Sequence, residues 1–121
     1  MNENEEKEVL AFLAHFAAQL PNPSSTFALL VRFCVKPGTQ AACERAFTEV
    51  AGPTFCEPGV LAFNLHRDAG DPTRFVMYEC WRSLADLGVH LRSPYITKLR
   101  RVLNEMLDGA PNFQVVIPIS G

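Results

Sequence analysis

From Glu5 to Leu20 the apolar positions Val9, Leu10, Phe12, Leu13, Phe16, Ala17 and Leu20 recur at helical spacing behind an acidic first turn. This predicts an amphipathic helix that ends before Pro21. The turn formers Pro21-Asn22-Pro23-Ser24-Ser25 separate it from the rest of the chain. Residues 1–25 are therefore read as an appendage and residues 26–121 as one domain.

The pattern changes period at Thr26. Residues 26–36 are β-rich and almost continuously apolar, as in a strand buried on both faces, and Pro37-Gly38 stops it. Thr39 is then the expected N-cap of a helix whose apolar face is Ala42, Ala46, Phe47 and Val50, broken at Gly52-Pro53 after Ala51. Residues 60–68 and 73–81 are strand-like runs joined by Ala69-Gly70-Asp71-Pro72, which predicts a hairpin. Ser83 with Asp86 reads as the capping box of a short helix, and Ser93-Pro94 as the cap and first-turn proline of a second, running to about Leu107. A turn at 108–111 leads to a last strand, 112–119, with Pro118 tolerable only near an edge or end.

The order β-α-β-β-α-β is an α+β, ferredoxin-like arrangement, an antiparallel sheet with helices on one face. Large apolar side chains alternate onto both faces of the first and third strands: Phe27, Leu29, Val31 and Phe33 against Leu30 and Cys34, and Phe75 and Met77 against Val76 and Tyr78. An open face of that kind is an apolar patch unless a second subunit covers it. A homodimer with facing sheets is predicted.

With 48% hydrophobic residues in 121, the chain has material for one core. Eleven basic against thirteen acidic side chains lack the excess that nucleic acid or an anionic membrane would call for. No apolar run reaches the roughly 18–20 residues of a membrane span. Cys34, Cys43, Cys56 and Cys80 form no CxxC pair, and the N-terminus lacks a secretory pattern, so reduced thiols in a soluble cytoplasmic protein are expected. His15, His66 and His90 fall on separate elements, which gives no preformed metal chelate.

Residues 58–95, PGVLAFNLHRDAGDPTRFVMYECWRSLADLGVHLRSPY, resemble the signature region of the antibiotic biosynthesis monooxygenase family. Shared are a Pro-Gly, a strand ending near Arg-Asp, a turn with Asp-Pro, a strand with Glu-x-Trp, and a helix with His before Ser-Pro. The resemblance implies a dimeric α+β barrel with a small-molecule pocket in each subunit. It also implies oxygenation of a quinol-like or enolisable aromatic compound by O2 without flavin, haem or metal, hence no cofactor. Trp81 and Arg100 match residues that line the pocket in quinol- and anthrone-oxidising relatives, where they orient substrate and stabilise its oxyanion. Met77, four positions before the Trp, and Leu87, six after it, depart from the polar residue and the Tyr of those relatives. The haem-degrading subgroup is excluded, because its Asn, Trp and ligating His correspond to Val31, His90 and Arg100.

Such chemistry needs a base and donors that hold an anion in a dry pocket. His90 is the first candidate for the base, because an imidazole titrates near neutral pH; its alternative role is to cap helix carbonyls or bond Glu79. Asn64 and His66 share one face of the second strand and are candidate polar contacts to the oxyanion. Alternatively, His66 pairs with Asp68 or Asp71, and Asn64 satisfies backbone. Glu79 sits among apolar neighbours with Trp81, and is either paired with Arg32 or Arg82 at an interface, raised in pKa, or at the barrel rim. Tyr78 and Tyr95 are candidate pocket donors. Two functions fit these residues: an oxygenase or isomerase of a small carbonyl metabolite, and a non-catalytic dimer that binds an apolar ligand.

Overall fold

The structure, a computed structural model, describes residues 1–120. Helix α1 spans Glu3–Ala17, and it starts earlier than the apolar periodicity suggests because Asn2 caps it. The Asn2 side chain accepts from the Glu5 amide and the Glu5 carboxylate accepts from the Asn2 amide, each at 2.8 Å. This reciprocal capping box satisfies two N–H groups that would otherwise lack partners. Tighter bonds from the Gln19 and Leu20 amides to the carbonyls of Phe16 and Ala17 close the other end before the proline-rich turn.

The core comprises β1 (Phe27–Cys34), α2 (Gln40–Phe55), β2 (Val60–Arg67), β3 (Arg74–Trp81), α3 (Leu84–Arg92), α4 (Pro94–Met106) and β4 (Asn112–Val116). The four strands form one antiparallel sheet in the order β2-β3-β1-β4. This is the ferredoxin-like α+β fold, with β2 and β3 paired as the expected hairpin. The two largest differences from the sequence reading within the core concern ends. β4 stops at Val116, ahead of Pro118, which has no N–H for a ladder. α2 continues through Gly52-Pro53 to Phe55. Pro53 lies in the last turn, where it forgoes only the bond to the Glu49 carbonyl, and the amides of Cys56 and Glu57 close the end on the carbonyls of Pro53 and Thr54. Thr39 stands at the N-cap of α2 without capping it; its hydroxyl donates to the Lys36 carbonyl at 2.7 Å.

Cross-strand register sorts the side chains by face. Phe27, Leu29, Phe33, Phe63, Phe75, Met77 and Trp81 point into the core under the helices. Leu30, Tyr78, Asn64 and Gln114 form one row of the opposite face, and Arg32, Val76, His66 and Asn112 form the next. All four cysteines are free thiols.

Ser83 caps α3, its hydroxyl accepting from the Asp86 amide, while Arg82 grips the Asp86 carboxylate with two bonds of 2.9 Å. Gly59 packs against that fixed carboxylate so closely that an added Cβ would lie 2.2 Å from Asp86 Cγ. Gly59→Ala is therefore expected to lower stability by about 1–3 kcal/mol, the range for overpacking. Gly52→Ala in α2 meets nothing within 4 Å and serves as the control. Equal melting temperatures for the two variants would refute the steric account.

Candidate functional site

Between the sheet and its helices lies a cavity of about 440 Å³. Its wall is apolar except for Glu8, Glu79, His90, Arg100 and Asn104. α1 forms part of it: Phe12 packs on Phe113 at 5.2 Å between ring centres, and Phe16 on the same ring at 6.0 Å. Glu5, Glu6 and Glu8 of α1 pair with Arg101, Arg92 and Arg100 of α3 and α4, at 2.6, 2.9 and 3.4 Å. The N-terminal helix thus closes the cavity of its own chain.

His90 occupies the last turn of α3, where Ser93 both ends that helix and caps α4. His90 is 2% exposed, and its ring lies 4.5 Å from the Trp81 ring and 5.3 Å from Phe63. Nδ1 lies 3.0 Å from Glu57 Oε2. The Tyr95 hydroxyl donates to that same oxygen, and burial, then Glu57, pushes the phenol up to about 12. Glu79 accepts the Trp81 indole N–H at 3.0 Å. It retains some accessible surface because it borders the cavity, yet it lies deep beneath the helices. Burial pushes its carboxyl above the ordinary range; His90 and the Trp81 N–H pull the other way, and Glu57 adds to the rise.

A raised carboxyl has a definite sign in stability. Below the ordinary value of 4.5, Glu79 is protonated in both folded and unfolded chains. As pH rises through and above that value the unfolded chain releases its proton first, so the folded state loses ground until its own carboxyl ionises. Glu79→Gln, which imitates the protonated acid, is expected to melt with the wild type at pH 4 and above it at pH 8. A gap that narrows as pH rises would contradict a raised Glu79 carboxyl.

The structure brings together His90, Glu79, Trp81 and Tyr95 around Glu57, with Arg100 on the same cavity wall. Trp81 is not part of that wall: it is fully buried beneath His90, so it supports the site rather than offering a face to a substrate ring. Arg100 is not on a solvated helix face, since Glu8 pairs with it and its guanidinium sits 5.9 Å from the Phe12 ring centre. Glu79 is bonded to Trp81 and not to Arg32 or Arg82, which hold Gln114 and Asp86 instead. Asn64, His66 and Tyr78 lie across the sheet from the cavity, His66 with its ring 3.3 Å from the Val76 carbonyl rather than on Asp68 or Asp71. Sequence reasoning missed Glu57 and Glu8. The signal for Glu57 was an acid just before Pro58-Gly59, in a stretch with no periodicity.

The chain combines a ferredoxin-like α+β sheet, helices that enclose an apolar cavity, and an imidazole and a carboxyl on the cavity wall. Residues 26–102 match the antibiotic biosynthesis monooxygenase family, and the chain belongs to that family. It is 27% identical over 96 residues to "Putative monooxygenase Rv0793" of Mycobacterium tuberculosis, covering 79% of this chain and 94% of that one. The structure of Rv0793 superposes with a TM-score of 0.74 at 26% identity, over 80% of this chain and 98% of the other. PA3566 from Pseudomonas aeruginosa gives 0.73 at 25% identity, over 82% and 99%. The match to the family begins after α1.

Proposed function

We propose that the protein is a cofactor-independent monooxygenase of a small quinol-like or enolisable aromatic compound, working as a homodimer. The observation that carries this reading is the placement of His90 and Glu79 on the wall of an otherwise apolar cavity, in a chain of this family. The imidazole is the base and takes a proton from the substrate. Arg100, on the same wall, stabilises the oxyanion or enolate that remains. That carbanion reduces O2 and forms a C–O bond to it; the peroxide takes back the proton and loses water, so that a CH2 group and O2 become C=O and H2O. Glu79, whose carboxyl burial raises above the ordinary range, borders the cavity beside His90 as a second polar group for the substrate. The apolar wall keeps water from the carbanion.

The open face of the sheet, with Leu30, Val76 and Tyr78 among its half-buried residues, is where a second copy docks. Light scattering should give twice the chain mass. The activity is tested by O2 uptake with metal-stripped, flavin-free protein against naphthoquinols, catechols and anthrones. Turnover supports the reading. Silence across the panel, with tight binding of any member, would instead favour an isomerase or a ligand carrier.

A further inference from the structure

The two ring nitrogens of His90 meet different surroundings. Nδ1 is 3.0 Å from Glu57 Oε2, and that oxygen also accepts from the Tyr95 hydroxyl. The Glu57 side chain is 10% exposed, no Lys or Arg pairs with it among the described residues, and its Oε1 is buried without a partner. Its position is therefore set by His90 and Tyr95 rather than by a cation. The Tyr95 hydroxyl donates to Glu57 Oε2, which is thereby an acceptor, so Nδ1 carries the proton facing it. A neutral ring then keeps its lone pair at Nε2.

We propose that Glu57 is a positioning residue that holds the Nδ1 proton of His90, steadied by the Tyr95 hydroxyl, so that Nε2 accepts the substrate proton. The role rests on the oxygenase reading; the tautomer does not. The groups facing the ring are Glu57 beyond the end of α2, Glu79 and Trp81 from β3, and Tyr95 from α4. Trp81 and Phe63 pack on the ring and restrict its plane. When Nε2 takes a proton, the imidazolium that forms already has the Glu57 oxygen as acceptor on its other nitrogen, which lowers the barrier to that transfer.

The test is nitrogen NMR at pH 8 on protein with 15N-labelled histidine, with His90 assigned among the three histidines by its absence in His90→Gln. In the wild type, Nδ1 should show the protonated signature and Nε2 the bare one. Glu57→Leu should lose that preference and lower kcat by about 10²-fold with little change in KM. Tyr95→Phe should show a smaller loss of the same kind. Protonation of Nε2 in the wild type, alone or together with Nδ1, would overturn the proposal. So would an unaltered pattern in folded Glu57→Leu; if that variant does not fold, the wild-type spectrum decides. Failure of the substrate panel would sink the oxygenase reading and leave these spectra standing.

Discussion

His90→Gln should lose O2 uptake by about 10²–10⁴-fold, the usual contribution of a positioned base, while still binding the substrate. Glutamine is the informative replacement because it retains an N–H that can reach Glu57. Alanine removes the base and also leaves the Glu57 oxygen with Tyr95 alone, in a gap between Trp81 and Phe63. That variant should lose activity and about 1–3 kcal/mol of stability as well, the cost of stranding a buried polar group. Kinetics and melting curves of the two variants separate chemistry from packing. Full turnover in folded His90→Gln would remove His90 from the mechanism.

Deleting residues 1–22 should have the largest effect on stability. The deletion removes Val9 and Phe16, which are 0% and 2% exposed, and takes Phe12 off Phe113. Burial of two such side chains contributes about 3–6 kcal/mol before the entropy of ordering the helix is set against it. The pairs of Glu5, Glu6 and Glu8 with arginines add little beside this, since exposed ion pairs are weak and screened. The truncated protein should melt lower and bind an apolar-surface dye more strongly, because the cavity loses one wall. Unchanged melting and dye binding would mean that α1 does not close the cavity in solution.

Element order was legible from sequence because each element carries its own local signal. The two periods, the Asp-Pro turn and the Ser83 and Ser93-Pro94 caps are all read within a few residues. The site was legible only where it coincided with family positions: His90, Glu79, Trp81 and Arg100. Asn64 and His66 were misplaced for a physical reason. Alternation along β2 puts them opposite Phe63 and Leu65, but alternation does not say which face meets the helices. Glu57 was invisible because α2 continues two residues past a proline expected to break it, and only that continuation delivers the carboxylate to a histidine 33 residues away. Glu8 was hidden for a related reason: the sequence shows that α1 has an apolar face, and packing alone decides what that face covers.

Trp81 is the only tryptophan in the chain. Its indole is shielded from solvent, hydrogen-bonded to Glu79 and in contact with His90. The protein therefore carries a native optical probe within its candidate site. The colour and yield of its fluorescence depend on whether the neighbouring acid and imidazole are charged and on what occupies the adjoining space. Ligands can be titrated by light emission on the unlabelled chain, before any product is known.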